Sequence, residues 1–134
     1  VSGYLNKTKF SLFFYKYPLL AKTHEFLDLR ISDVKDIAPM KLAAISDRGI
    51  KRDFVGLYFI VAEKKLFTLQ DVLDLYNQKF KVLNQNKTHI LKSLIYFDDA
   101  DKQQMPQMLK KVSWPKVKKF FEVETKYLFK KLSA

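Results

Sequence analysis

Three charged side chains, those of Lys41, Arg48 and Asp53, are spaced so that they could meet at one site. Lys41 and Arg48 are separated by two helical turns, so a helix would carry both on one stripe. Asp53 lies in the first turn of a second predicted helix, where the helix dipole favours a carboxylate but burial penalises an unpaired one. Asp53 therefore needs a cationic partner, and Lys41, Arg48 and Arg52 are the nearest candidates. We expect Lys41 and Asp53 to face one another across the two helices.

Two interpretations of this group follow from the residues. In the first, the carboxylate and the cations around it belong to an active site. In the second, they form a purely structural ion pair that joins two helices, which shifts the pKa of a carboxylate equally well. From the residues alone the structural interpretation is the simpler one, and both stay open.

The surrounding pattern predicts the two helices that must position these side chains. Ser32 or Asp33 is expected to cap the first helix. Pro39 lies several residues into the pattern, so this helix is expected to begin as a short turn and to run regularly from about Ala38. Gly49 is typical of the residue just beyond a helix. Residues 50–63 then form a helical pattern that is apolar on nearly every side, which predicts a central, buried helix.

The whole chain predicts an α+β fold, with a short antiparallel β-ribbon followed by a mostly α-helical bundle. Residues 9–16 and 25–32 are rich in β-branched or aromatic side chains and predict two strands that pair with each other. We expect a single domain, residues 1–134, with a strand-rich start (1–32) and a helical bundle (33–134). Further helices are expected to begin at residues suited to capping: Thr68, Asn86 or Thr88, and Ser113.

The order of residues in the central region resembles a known family. An Asp-Ile-Ala-x-Met-Lys run at 36–41 is followed by Ala44, Arg48-Gly49, Arg52-Asp53 and Leu57-Tyr58. This order resembles the AbiEii-type nucleotidyltransferase toxins, a toxin–antitoxin family of phage abortive infection within the DNA-polymerase-β-like nucleotidyltransferases. The similarity continues to the C-terminal end through residues 91–101 (LKSLIYFDDAD) and Ser113-Trp114.

The resemblance implies a function and roles for the charged residues. The whole enzyme would transfer a nucleotide from a nucleoside triphosphate to an RNA such as a tRNA, and its partners would include a cognate antitoxin. Lys41 and Asp53 would belong to the active site, with Lys41 contacting nucleotide phosphates. Arg48 or Arg52 would position the phosphates or Asp53.

Two departures from the family pattern bear on this reading. The family's N-terminal half carries a Gly-rich loop and paired metal-binding aspartates, and nothing before Lys41 has that form, since Gly3 is the only glycine before Gly49. We therefore expect a C-terminal portion that lacks the N-terminal catalytic half, is inactive alone, and leaves Mg²⁺ to ligands in that half. The first residue, Val1, is consistent with a fragment. Gly56 also replaces a further acid that the family usually has one turn after Asp53.

The positive charge supports a second hypothesis from a different class. The net charge is +11, and residues 102–134 hold nine lysines against two glutamates. In the last predicted helix, Lys119, Lys126 and Lys130 line up opposite an apolar side, where they could meet RNA phosphates. The chain would then be a non-catalytic basic helical module that binds RNA or a partner protein; a lysine-rich solvated surface is equally compatible. The apolar side of this helix comprises Val117, Phe120, Phe121, Tyr127, Leu128 and Leu132.

Composition and spacing argue against several other classes. Cysteine is absent, which excludes disulfides and thiolate metal sites. There is no signal-peptide pattern and no apolar run of about 18 residues, so we expect a cytoplasmic protein without membrane contact. No metal site is predicted in this chain. His24 and His89 are far apart, and the acidic cluster of Asp98, Asp99 and Asp101 is interpreted as a solvated or lysine-paired turn because no calcium-loop spacing surrounds it.

Overall fold

Two antiparallel hairpins precede a set of helices, which confirms the predicted α+β class. The structure is a computed structural model that describes residues 1–133, and for residues 83–85 the backbone alone. Strand β1 (Ser2–Leu5) pairs with β2 (Thr8–Ser11), and β3 (His24–Phe26) pairs with β4 (Leu29–Ile31). The helices are α1 (Val34–Arg48), α2 (Lys51–Tyr58), α3 (Leu69–Phe80), α4 (Leu83–Ser93), α5 (Asp98–Asp101) and α6 (Trp114–Leu132).

The predicted pairing between residues 9–16 and 25–32 is wrong, because each stretch belongs to a different hairpin. Ser2 lies opposite Ser11 in the first hairpin, and His24 lies opposite Ile31 in the second. The second turn holds both its residues, Leu27 and Asp28, in left-handed conformations with φ of 48° and 61°, the combination that a two-residue type I′ turn requires. Closing a two-residue turn costs less chain entropy than pairing strands across a long loop, so each strand pairs locally.

The hairpins contribute little to the core. Every residue of β2, β3 and β4 is exposed, including the apolar Phe10, Phe26 and Leu29. The buried apolar residues all belong to the helices and the segments between them. The hairpins therefore lie at the edge of a core built from the helices.

Helix α1 begins at one of the two predicted caps. Asp33 is its N-cap and accepts a hydrogen bond from the backbone N–H of Lys35 at 2.8 Å, so the helix runs from Val34 without the separate short turn expected before Ala38. Pro39 lies inside the helix. Its missing N–H would have bonded the carbonyl of Lys35, an exposed residue whose carbonyl can be solvated instead, so the helix runs through the proline.

Helix α2 is the buried central element that the sequence predicts. Phe54 is fully buried, and its ring centroid lies 5.3 Å from that of Phe97, 5.9 Å from that of Trp114 and 5.4 Å from that of Phe121. A π-helical turn, Phe59–Glu63, continues α2. The element thus ends at Glu63, as predicted, with its last turn widened.

The outer helices agree with the sequence in part. Thr68 and Asp71 form the predicted capping box of α3, and Ser113 caps α6. Helix α4 begins at Leu83, so Asn86 and Thr88 are inside it and do not cap it. In α6 Tyr127 and Leu132 are exposed, contrary to prediction, because Tyr127 lies at the edge of the apolar stripe and Leu132 is the last residue of the helix. No helix among residues 1–133 is long and apolar enough to cross a membrane.

Candidate active site

The turn at Gly49 brings α2 back against α1. Gly49 has φ 57° and ψ 42° and donates its N–H to the carbonyl of Ile45 at 3.0 Å, which ends α1. A side chain with a Cβ would be strained there, so glycine suits the position. Ile50 is extended and α2 starts at Lys51. Asp53, in the first turn of α2, is thereby placed beside the face of α1 that carries Lys41 and Arg48.

The carboxylate of Asp53 is buried between two cations. Lys41 Nζ donates a hydrogen bond to Asp53 Oδ1 at 3.0 Å, and Arg48 Nη2 lies 3.6 Å from Asp53 Oδ2. The Asp53 side chain is 4% exposed, whereas those of Lys41 and Arg48 are 32% and 51% exposed. Asp53 Oδ2 has no hydrogen-bond partner among the described residues. The predicted juxtaposition of Lys41 and Asp53 is therefore confirmed, and Arg48 joins it.

Gly56 makes room for the lysine. A Cβ at position 56 would lie 3.1 Å from Lys41 Cε and 3.5 Å from Lys41 Cδ. The aliphatic part of Lys41 thus passes directly over the backbone of α2 to reach Asp53. The absence of a side chain at position 56 leaves space for the lysine, at a cost of about 1 kcal/mol in helix propensity relative to alanine.

A small cavity opens beside the three charged groups. It has a volume of about 220 Å³ and is lined by Lys41, Arg48, Asp53, Ser32 and apolar side chains of α1. Because the carboxylate is buried while both cations reach solvent, the cavity presents more positive than negative charge. Such a cavity attracts an anionic group.

The other residues singled out in the sequence lie elsewhere. Arg52 is exposed on α2, does not line the cavity, and forms no ion pair with another described residue. Lys119, Lys126 and Lys130 are exposed on α6 and likewise have no ion-pair partner in the described part of the chain. Their predicted roles toward phosphate and RNA stay predictions.

A buried ion pair that the sequence reasoning missed holds α1 in place. Lys79 Nζ on α3 donates to Asp36 Oδ1 at 2.6 Å and to the carbonyl of Pro18 at 2.9 Å, and both charged side chains are fully buried. The backbone N–H groups of Leu20 and Ala21 donate to the Asp36 carboxylate at 2.9 and 3.1 Å. Burial raises the pKa of Asp36, but these hydrogen bonds outweigh it and hold the pKa below its usual value.

A sequence signal for this pair existed. Lys79 follows Val72 and Tyr76 at helical spacing, so it falls on the buried stripe of α3. A lysine on an apolar stripe requires a buried acceptor. Asp36, at the start of the motif-bearing helix, is that acceptor.

The described residues do not fit a Mg²⁺ site. Among residues 1–133, no group of three or more histidine, cysteine or acidic side chains is placed to hold a metal ion. Of the described residues, Asp53 is the only acid that lines the cavity, and its negative charge is already flanked by two cations. We therefore assign none of the described residues as a ligand of the Mg²⁺ that is predicted for the complete enzyme.

The acidic cluster at 98–101 contributes to packing. Asp101 Oδ1 accepts hydrogen bonds from Trp114 Nε1 at 2.7 Å and Lys118 Nζ at 3.0 Å, which lowers the pKa of Asp101. Asp98 and Asp99 are exposed. The predicted lysine-paired turn is thus confirmed for Asp101.

Comparison with known proteins finds one relative over most of the chain. The chain is 37% identical over 124 residues to an uncharacterized protein of Aquifex aeolicus, and the match covers 91% of this chain and 58% of that protein. The chain therefore spans less than two thirds of the length of this relative.

A shorter match involves an enzyme. A stretch of 54 residues is 44% identical to the NADPH-dependent methylglyoxal reductase GRE2 of Saccharomyces cerevisiae, covering 40% of this chain and 14% of that protein. No protein-family model matches the chain, and no solved structure matches it. The residues and their geometry are therefore the main guide to the function of the chain.

Proposed function

We propose that this chain is the C-terminal portion of an AbiEii-like nucleotidyltransferase toxin, in which Lys41 and Arg48 bind the phosphates of a nucleoside triphosphate beside Asp53. The complete protein transfers a nucleotide from that triphosphate to an RNA such as a tRNA. Residues 1–134 alone bind nucleotide but do not transfer it. A cognate antitoxin and Mg²⁺ belong to the complete system.

One observation carries the phosphate-binding part. Two cations, at 3.0 and 3.6 Å, share the single buried carboxylate of Asp53, and both remain partly exposed in a cavity. A purely structural ion pair needs only one cation, and that cation has no need to reach solvent. Here the second cation and the solvent access leave positive charge available to a ligand. In a nucleotidyl transfer, charge of this kind stabilises the phosphate oxygens as the bond to pyrophosphate breaks.

The transfer reaction itself is supported by the sequence resemblance. The residues that carry it, from Asp36 to Tyr58, lie on α1 and α2, the two helices that form the site. Lys41 and Asp53, the positions that the resemblance assigns to the active site, are in direct contact. The resemblance and the geometry thus point to the same two residues.

A transfer assay tests this proposal. The native gene product is incubated with Mg²⁺, a pool of RNA that includes tRNA, and each of the four nucleoside triphosphates labelled at the α-phosphate. We expect label to appear on RNA, and Lys41→Ala to reduce it at least about a hundredfold, the scale of losing a main electrostatic contact in a transition state. Lys22→Ala, at an exposed lysine outside the site, is the matched control. Equal labelling by wild type and Lys41→Ala, per folded molecule, would refute the assignment.

The exposed lysines of α6 favour a second candidate, a non-catalytic module that binds RNA or a partner protein. Lys119, Lys126 and Lys130 occupy one stripe and carry charge that no described ion pair neutralises. If RNA binds without any nucleotide transfer, and if this binding is unaffected by Lys41→Ala, the second candidate replaces the first.

A further inference from the structure

An aromatic cleft lies next to the charged cavity. It is formed by residues 13–17, α1 and α3, and has a volume of about 580 Å³, within the range of about 300 to 1,000 Å³ typical of small-molecule sites. We call it the aromatic cleft and define it by Phe13, Tyr15, Tyr17, Tyr76, Phe80 and Arg48, which line it.

The rings in the cleft form a continuous series. The centroid of Tyr15 lies 6.3 Å from that of Phe13 and 5.4 Å from that of Tyr17, and Tyr17 lies 4.6 Å from Phe80. Phe80 in turn lies 4.9 Å from Tyr76 on the same helix. Neighbouring rings are inclined to each other by 51° to 81°, so the cleft offers individual ring faces. An aromatic face stacks on a flat ligand without strong preference for one base.

The buried ion pair fixes this wall in place. Lys79 Nζ lies 5.2 Å from the centroid of the Tyr15 ring and also donates to the carbonyl of Pro18. Burial, together with the nearby Asp36 carboxylate, raises the pKa of Tyr15 to about 12, so its hydroxyl stays protonated. That hydroxyl is buried and has no hydrogen-bond partner among the described residues. The fold therefore uses the ring of Tyr15 and not its hydroxyl.

Charge distinguishes the cleft from the cavity beside it. Arg48 lines both, so a ligand can lie in the cleft and reach the charged cavity through the same guanidinium. Asp47 also lines the cleft, where its carboxylate can accept a hydrogen bond from a ring or exocyclic N–H and disfavours a bare anion. The cleft thus suits the neutral, aromatic end of a ligand whose other end is anionic.

We propose that the aromatic cleft binds an unpaired nucleobase by stacking, while the attached phosphate reaches Arg48 and Lys41. This inference rests on the proposed function and extends it, because it assigns the base and the phosphate to different groups. The base comes either from the nucleoside triphosphate or from a single-stranded end of the RNA, and the chemistry of recognition is the same.

Titration of the chain with ligands that lack one part at a time tests the inference. AMP is compared with ribose 5-phosphate, which has the phosphate but no base, by calorimetry. We expect AMP to bind more tightly than ribose 5-phosphate by about tenfold, the scale of one stacked base. Tyr17→Leu and Phe13→Ala remove rings of the cleft and are expected to abolish this difference, while Lys41→Ala weakens both ligands.

A matched variant leaves the stacking surface intact. Phe14→Ala removes a neighbouring ring that is 91% exposed and does not line the cleft. This variant is expected to bind AMP as wild type does. The affinities of ATP and of a single-stranded RNA hexamer are then measured on wild type and on Phe13→Ala, alone and in competition. The ligand that loses affinity in Phe13→Ala is the one whose base occupies the cleft.

The outcomes separate this inference from the proposed function. If Lys41→Ala weakens AMP but Tyr17→Leu and Phe13→Ala do not, the base site is wrong and the phosphate site stands. If the ring variants weaken AMP but Lys41→Ala does not, the base site stands and the phosphate role is wrong. If ribose 5-phosphate binds as tightly as AMP, the cleft does not hold a base. Absence of binding by every ligand, in a folded wild-type protein, contradicts both.

Discussion

At the scale of single residues, the candidate site differs from a simple ion pair because its acid is buried while its two cations reach solvent. Asp53 is almost fully buried, but the cations beside it are exposed by about a third and a half of their side chains. Loss of Lys41 leaves Asp53 beside Arg48, so the carboxylate keeps a partner. The lysine is therefore less necessary for the fold than its contact with a buried acid suggests.

Gly56 provides a test of the contact between α1 and α2. In the wild-type background Gly56→Ala places a methyl group 3.1 Å from Lys41 Cε, so the lysine must move by a few tenths of an ångström, which disturbs its contact with Asp53. We expect reduced affinity for triphosphate and almost unchanged stability, because the gain in helix propensity offsets the lost contact. In a Lys41→Ala background the same change meets no such neighbour and is expected to raise the free energy of unfolding by about 1 kcal/mol.

Urea unfolding of wild type, Gly56→Ala, Lys41→Ala and the double variant measures the stability change caused by Gly56→Ala in each background. An equal stability change in the two backgrounds would show that Lys41 does not lie over Gly56.

The sequence predicts part of this residue-level picture. The contact between Lys41 and Asp53 could be predicted because helical spacing places each side chain on a known face of its helix, and because a buried carboxylate needs a cation. The space that Gly56 provides could not be predicted, because it depends on how closely two helices approach. Lys79 was missed because its partner, Asp36, is 43 residues away along the chain.

At the scale of elements, the Asp36–Lys79 pair joins α1, α3 and the segment that carries the aromatic cleft. Because both side chains are fully buried, removing one leaves the other charge without compensation. We expect Lys79→Met to lower the free energy of unfolding by about 3 to 5 kcal/mol. Lys92→Met, at an exposed lysine of α4, should change it little.

The double variant Asp36→Leu/Lys79→Met checks the cause of that loss. Replacing both charges with apolar groups removes the uncompensated carboxylate, so it should be less destabilised than Lys79→Met alone. A double variant that is less stable than Lys79→Met would show that packing, not charge, dominates at this position.

The same pair predicts how acid affects stability. The pKa of Asp36 is lowered in the folded protein, so its contribution is fully present above the unfolded pKa of about 3.9 and is lost as the pH falls through the folded pKa. The stability difference between wild type and Asp36→Asn should therefore shrink as the pH falls from about 4 through the lower pKa of the folded state. A difference that stays constant over that range would exclude Asp36 as an acid-sensitive group.

The hairpins show why element pairing is harder to predict than element type. Residues 9–11 and 25–26 have the composition of strands and are strands. Their partners are the short segments Ser2–Leu5 and Leu29–Ile31, which are too brief to give a clear alternating pattern. The turn at Leu27-Asp28 has neither glycine nor asparagine, the residues that usually mark a tight turn. Sequence pattern therefore indicated strands without indicating the turns.

At the scale of the whole molecule, the surplus of positive charge points to a polyanion. The chain has a net charge of +11, and the exposed lysines of α6 add to the cations of the candidate site. Reversing Lys119, Lys126 and Lys130 to glutamate should leave the fold intact and weaken RNA binding, with a smaller dependence of affinity on salt. Reversing Lys7, Lys22 and Lys64, which are exposed elsewhere, changes the net charge equally and serves as the control.

Filter binding or fluorescence anisotropy over a range of salt concentrations distinguishes the two sets. If both sets weaken RNA binding by the same factor, the effect belongs to net charge and α6 is not a specific RNA-binding surface.

The most direct test of the phosphate-binding site is to measure triphosphate affinity and stability on Lys41→Ala, with Lys22→Ala beside it. We predict that affinity for inorganic triphosphate falls roughly ten- to a hundredfold, the scale of one hydrogen bond to a charged group. The free energy of unfolding should fall by less than about 2 kcal/mol, because Arg48 still neutralises Asp53. Unchanged affinity together with a loss of about 3 to 5 kcal/mol in unfolding free energy would show that Lys41 serves the fold alone, and would contradict this account.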